Sequence, residues 1–420
     1  MKRIFLITLL LISSISYSQD ISGQWNGVLE VQGTALHLVF NINKTATGYE
    51  STMDSPDQGA KGIPVTITTF ENVVLKIAIT NAGIAYEGTL DKSNTIIGNF
   101  KQAGRTFPMN LSFSKVEKEI ITAPKDIIIN YIETDVVLET PTGKLFGTLT
   151  TPKQFSKIPV TLIIAGSGPT DRNCNNSMMK SDAYKKLAHE LAEKNIASVR
   201  YDKRGISASA AAGLSESELR FENYVNDAND WIQLLKKDNR FSVITIIGHS
   251  EGSTIGMIAA KNADKYISIA GPGQSADKVL KEQLGAQSKE IQEATFPIIE
   301  SLANGKLVDA VTPDFNSLFR KSVQPYLISW FQYDPQLEIQ KLNIPILIIQ
   351  GTNDLQVSVD DAKRLSKANP KAQLLLIEKM NHIFRILDGN RQANIATYDQ
   401  PNLPIAPELV KSISDFILNK

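Results

Sequence analysis

The 420-residue chain balances 44 Lys+Arg against 44 Asp+Glu and is 42% hydrophobic and 21% charged, the composition of a globular protein long enough for two domains. Zero net charge leaves no long-range field to draw in nucleic acid or an anionic lipid surface, so a neutral small molecule is the expected substrate.

The chain opens on MKRIFLITLLLISSISYSQD, in which Lys2 and Arg3 precede an apolar run from Ile4 to Ile12 and small residues ending at Ser18. That order predicts a secretory signal peptide over residues 1–18 and an exported protein, periplasmic or extracellular. The run is shorter than the ~20 residues a bilayer requires, and no later segment reaches that length, so no integral membrane span is expected. Cys174 is the sole cysteine, which excludes an internal disulfide and a cysteine-based metal cluster.

Residues 19–115 read as a β-rich domain. In ALHLVFNI the residues Leu36, Leu38, Phe40 and Ile42 fall on one face, with His37 and Asn41 on the other. VVLKIAI repeats the alternation with Val73, Leu75, Ile77 and Ile79, and turn-rich stretches separate such runs. The expectation is a small antiparallel barrel or sandwich. Residues 116–134, charged and without a period, are expected as a linker.

From 135 to 420 the texture changes. After a hairpin-like opening come wholly apolar runs, PVTLIIAG, ASVRYD, VITIIGHS, YISIAG, IPILIIQG and QLLLIE, as a mostly parallel sheet covered on both faces demands. Helical stripes lie between them. Tyr184, Leu187, Ala188 and Leu191 form one, with His189 off it on the solvent side. Phe221, Tyr224, Val225, Ala228, Trp231, Ile232 and Leu235 form another. Residues 274–342 carry helical patterns without a strand and are expected as a helical cap over the sheet edge, where Trp330, Phe331 and Tyr333 would pack over the site.

Chemistry concentrates at Gly248-His249-Ser250-Glu251-Gly252. A serine hydroxyl needs a base and an oxyanion-binding pocket to act as a nucleophile. The G-x-S-x-G pattern is short enough to occur by chance, but here a strand precedes it and a helix follows, which is the setting of a nucleophile elbow. Among four histidines, His37 belongs to the β-rich part, His189 to a helix surface, and His249 is directed away from its neighbour as a bystander. His382, after the last strand, remains as general base. Asp354, just past a strand, is the preferred third member, because the rivals Asp360 and Asp361 open a helix and suit its N-terminal charge. Gly166-Ser167-Gly168 ends another strand, so the amides of Ser167 or Gly168, with that of Glu251, are the expected oxyanion donors. Glu251 thus counts for its amide more than its carboxylate. Asp171, Arg172, Asp202, Lys203 and Arg204 are expected in ion-paired loops around the site. GSGPTD lacks the phosphate-loop pattern and GPGQ lacks the dinucleotide fingerprint, so no cofactor is expected, and no metal.

In this order AGSGPTDRN, RYDKRGIS, GHSEGS, QGTNDLQV and MNHIF resemble the secreted bacterial α/β-hydrolases related to the serine aminopeptidase group and to thermophilic esterases with an extra N-terminal module. The resemblance spans roughly 127–420. It implies a cap-covered carboxylesterase acting on short acyl esters, with Ser250, Asp354 and His382 at the family's catalytic positions. Ser253 departs from the pattern, standing where relatives often show glycine. Two other readings stay open: a peptidase or amidase using the same three residues, and a non-catalytic binding protein acting through its β-rich domain. Oligomeric state is not legible.

Overall fold

Alternating apolar residues can bury only one face of a strand, and in the first part of the chain that face is rolled inward. The structure, a computed structural model, describes residues 20–31, 34–55, 60–102, 104–114, 130–177, 179–285 and 287–419. The leader expected at 1–18 and the linker stretch 116–129 lie outside them. The chain divides into two units, 1–127 and 128–420.

The first unit is one antiparallel sheet of ten strands. They are β1 (Gly23–Val31), β2 (Thr34–Thr45), β3 (Gly48–Ser55), β4 (Ala60–Pro64) and β5 (Ile67–Glu71). Then come β6 (Val74–Ile79), β7 (Ile84–Leu90), β8 (Thr95–Gln102), β9 (Arg105–Pro108) and β10 (Leu111–Ser114). The order is β4-β3-β2-β1-β10-β8-β7-β6-β5, with β9 paired to β8. The sheet curls until Val65 N–H donates to the Ser51 carbonyl (3.1 Å) and the Ser51 and Thr68 hydroxyls meet at 2.6 Å, drawing β3 towards β5. Its concave face buries Trp25, Leu38, Phe40, Ile42, Leu75, Ile77, Ile79, Tyr86 and Phe100, while His37 is exposed. Val73 departs from its expected buried place. Asn72 and Val73, at φ 49° and 61°, form the two-residue turn between β5 and β6, and left-handed backbone there matches hairpin twist.

The second unit starts with an antiparallel hairpin, β11 (Tyr131–Thr140) and β12 (Gly143–Pro152). β11 thus begins inside the stretch 116–134 expected as linker. It is an edge strand that pairs with β12, so most of its side chains face solvent and its sequence lacks an apolar signature. β13 (Ile158–Ile164), a two-residue hairpin β14 (Asn175–Asn176) with β15 (Met179–Lys180), β16 (Ala197–Tyr201), β17 (Phe241–His249), β18 (Lys265–Ile269), β19 (Ile346–Gly351) and β20 (Gln373–Ile377) follow. The main sheet runs β11-β12-β16-β13-β17-β18-β19-β20, parallel from β16 onward.

The helices are α1 (Ala183–Glu193), α2 (Phe221–Lys236), α3 (Glu251–Ala259), α4 (Ala276–Gly285), α5 (Lys289–Ala303) and α6 (Asn316–Phe319). After these come α7 (Gln324–Phe331), α8 (Pro335–Gln340), α9 (Val359–Ala368), α10 (Arg391–Ala396) and α11 (Pro407–Leu418). α1 and α11 cover one sheet face, packing on Ile163, Ile247, Ile267 and Ile349. α2, α3 and α9 cover the other, on Leu162, Ile246, Tyr266 and Ile348. Both faces are covered, which is why these strands read as continuous Ile/Val/Leu runs, each side chain contributing ~1.5–3 kcal/mol on burial. α4 to α8 lie between β18 and β19, with no strand among the described residues there, forming the helical cap. This is an α/β-hydrolase fold preceded by a curled antiparallel sheet. Among the described residues no helix is long and apolar enough to cross a membrane.

Candidate active site

β17 ends at His249 and α3 begins at Glu251, leaving a single residue to reverse the chain. Ser250 does so at φ 55°, ψ −124°, a strained conformation for a residue with a side chain, costing ~1–3 kcal/mol. The flanking glycines permit the turn by their lack of bulk. A Cβ on Gly248 would sit 2.3 Å from the Gly252 carbonyl oxygen, and one on Gly252 would sit 2.3 Å from that of Ile164. Ser253 is buried against β18, its hydroxyl 2.8 Å from both the Tyr266 and Ser268 hydroxyls. Ser250 is partly exposed, and among the described residues its hydroxyl makes no hydrogen bond to His382.

Asp354 and His382 come from loops after neighbouring strands, β19 and β20. Thr352 N–H donates to the Ile377 carbonyl and Asn353 N–H to the Met380 carbonyl, both at 3.0 Å, which locks the two loops together. The Asn394 side chain donates to the Asn353 carbonyl (2.7 Å) and accepts from Asn381 (3.1 Å), next to His382. In this frame His382 Nδ1 lies 2.8 Å from Asp354 Oδ2, with the side chains 6% and 1% exposed. The other Asp354 oxygen accepts the amides of Gln356 (2.8 Å) and Val357 (3.0 Å). Burial alone would raise the carboxyl pKa. The His382 imidazole and these hydrogen bonds outweigh it and hold the group below the usual carboxylate range. Asp361 instead forms a capping box with Ser358 and accepts from Gly273 N–H, and Asp360 is an exposed helix charge beside Lys363.

His249 is not the bystander expected. Its Nε2 donates to the His382 carbonyl (2.9 Å) and its Nδ1 accepts from the Tyr184 hydroxyl (2.7 Å), which in turn accepts Gly166 N–H (3.2 Å). Burial, reinforced by His382 with its ring centroid 4.5 Å away, pushes the His249 pKa down to about 3. The residue next to Ser250 therefore acts as a neutral strut holding the main chain of His382. Sequence pattern could not supply this, because the partner is 133 positions away.

Glu251 also differs from expectation. Its carboxylate is buried, with Oε2 2.9 Å from Lys203 Nζ, and Oε1 accepts from the Tyr326 hydroxyl of α7. Ser167 and Gly168 lie exposed at the end of β13, Gly168 at φ 73°, and Gly166 packs on Ser250 so closely that an added Cβ would stand 3.1 Å from the serine Cβ. Two of the surrounding cations form structural ion pairs. Arg172 makes two guanidinium contacts to Asp202 (3.1 and 2.8 Å), Arg204 pairs with buried Asp227, and Asp171 accepts the amides of Asn173 and Asn175. Asp171 also lines a cleft with Pro169, Asn176 and Ser207.

One further expectation needs correcting. His189 is part-buried, stacked on Tyr131 at 4.1 Å and bonded to Glu133 (2.8 Å), so α1 is tied to the edge strand β11. In the cap, Trp330 stacks on Phe221 at the start of α2 (5.9 Å), Tyr333 lies tilted against the same ring (5.2 Å), and Phe331 joins the core. Among the described residues no group of three or more His, Cys, Asp or Glu side chains is disposed to hold a metal ion.

Residues 177–294 match the family described as serine aminopeptidase, S33. Over 317 residues, 70% of this chain and 68% of the relative, the sequence is 25% identical to Esterase EstD of Thermotoga maritima. Among solved structures, Est1E from Butyrivibrio proteoclasticus is 18% identical with a TM-score of 0.45, covering 68% of this chain and 99% of that one. The α/β-hydrolase GrgF from Penicillium sp. sh18 is 16% identical with a TM-score of 0.46, covering 69% and 98%. The chain is thus an α/β-hydrolase-fold protein, similar over part of its length to the serine aminopeptidase, S33 family and over most of its length to an esterase.

Proposed function

We propose that the protein is an exported serine hydrolase that cleaves short-acyl carboxylic esters, with Ser250 as nucleophile, His382 as base and Asp354 as its orienting carboxylate. The observation that carries this reading is the Asp354–His382 hydrogen bond, whose histidine is held through its carbonyl by the residue beside the elbow serine. Asp354 accepts a hydrogen bond from the His382 Nδ1–H, which fixes that tautomer and leaves the Nε2 lone pair to accept the Ser250 proton as Oγ attacks the ester carbonyl. The tetrahedral oxyanion is received by the amides of Glu251 and of Ser167 or Gly168. His382 returns the proton to the departing alcohol. It then deprotonates water, which releases the acid from the acyl-enzyme.

The similarity to an esterase and the neutral charge balance support a small uncharged ester as substrate. Nitrophenyl esters from acetyl to octanoyl test the reading: hydrolysis should favour the shorter acyl groups and vanish in Ser250→Ala. Activity that survives this substitution would end it. Export rests on the leader pattern, and the intact mass of secreted protein should correspond to cleavage after Ser18.

A second reading, an amidase, draws on the serine aminopeptidase description of 177–294. Asp171, half-buried in its cleft, is the carboxylate that would anchor a substrate ammonium. A higher kcat/KM on amino-acid anilides than on esters, lost in Asp171→Asn, would favour it.

A further inference from the structure

We propose that Lys203 is a positioning residue that sets the direction of both oxyanion donors, and that Tyr326 makes the cap part of the same setting. The inference rests on Ser250 being the nucleophile and adds what holds its oxyanion hole in shape.

Lys203 follows β16 and its side chain is 2% exposed. Its ammonium donates to the Gly166 carbonyl (2.7 Å) and to Glu251 Oε2 (2.9 Å), and lies 4.8 Å from the centre of the Tyr224 ring. The Gly166 carbonyl shares one planar peptide unit with Ser167 N–H, and in a trans peptide the two point in opposite directions. Fixing the carbonyl on a buried cation therefore aims Ser167 N–H away from Lys203. The cation also draws electron density from that peptide and makes its N–H a stronger donor. Gly166 N–H, in the preceding peptide unit, is held by the Tyr184 hydroxyl, which restrains the residue that carries this carbonyl. The second donor is the amide of Glu251, whose carboxylate is the partner of the same ammonium. One ion pair thus ties the β13 loop to the first residue of α3. The Tyr326 hydroxyl, donated to Glu251 Oε1, brings in α7 of the cap.

A buried pair needs a test that leaves no orphan charge, because a lone carboxylate there would threaten folding. Lys203→Met with Glu251→Gln removes both charges at nearly constant volume. In the full chain, with a nitrophenyl butyrate ester, kcat should fall about 10- to 100-fold, short of complete loss of a donor, while KM stays within about twofold. Affinity for butylboronic acid, which forms a tetrahedral adduct on serine, should fall in step with kcat. Tyr326→Phe should lower kcat several-fold in the same pattern, and it decides the matter if the double variant does not fold. Unchanged kcat in a folded variant would overturn the inference, as would a loss confined to KM. Failure of the underlying functional reading is distinct, since wild-type protein would then show no Ser250-dependent hydrolysis.

Discussion

Replacing His249 with glutamine keeps an amide donor near the position of Nε2 but removes the only titrating atom from the strut. In the folded protein the imidazole gains its proton only near pH 3, whereas an exposed histidine does so near 6.5. Between those values the unfolded chain binds a proton that the folded chain refuses, so stability falls as pH drops below about 6.5. Each pH unit in that window removes about 1.4 kcal/mol, or roughly 2 kcal/mol between pH 8 and pH 5. The folded state has a reason for the refusal: His249 is buried, and its ring lies 4.5 Å from that of His382 between centroids. Urea unfolding followed by tryptophan fluorescence, at pH 8 and pH 5, reads the effect in wild type and His249→Gln. All other titrating groups are common to both proteins, so the difference isolates this residue. The variant should be less stable at pH 8, and its deficit should shrink by about 2 kcal/mol at pH 5, equivalent to Tm values drawing together by roughly 4–8 °C. Parallel pH dependence in the two proteins would refute the neutral strut.

Asp354→Asn should reduce kcat about 10⁴-fold, by analogy with the handling of the imidazole tautomer in serine proteases, with little change in KM. An amide there either turns its NH₂ towards His382 Nδ1 and Gln350 or towards the amides of Gln356 and Val357, and both orientations oppose donors to donors. Steady-state kinetics on a nitrophenyl ester checks it. Gly252→Ala should destabilise the protein by about 2–4 kcal/mol and abolish turnover, since its Cβ would meet two backbone carbonyls, of Ile164 and Ala165, at 2.3 and 2.5 Å. Thermal unfolding with an activity assay measures both. The Cys174 thiol, buried and with its pKa raised by that burial to about 11, should resist iodoacetamide at pH 8 until the protein is unfolded, as mass spectrometry would show.

The parts of the fold set by local rules were legible in the sequence. The buried stripes of α1 and α2 appear as written, from Tyr184 to Leu191 and from Phe221 to Leu235, because helical periodicity needs no partner to be seen. The elbow could be read because its glycines answer a steric demand created by the turn itself. Where an edge or a turn replaced a buried face, pattern misled: β11 exposes most of its residues, and Val73 was assigned to a strand when the chain needed a turn. The connections that frame the site were illegible for another reason. His249 to His382, Lys203 to Glu251 and Tyr326 to Glu251 span 133, 48 and 75 positions, and no short-range period encodes them.

The central claim is that Ser250 forms the covalent intermediate. A fluorophosphonate, or rapid acid quench during ester turnover, followed by peptide mass mapping, tests it directly. A single adduct on Ser250 is expected, absent from Ser250→Ala and from denatured protein, with formation slowed in Asp354→Asn. An adduct on another residue, or ester turnover that persists in Ser250→Ala, would contradict it.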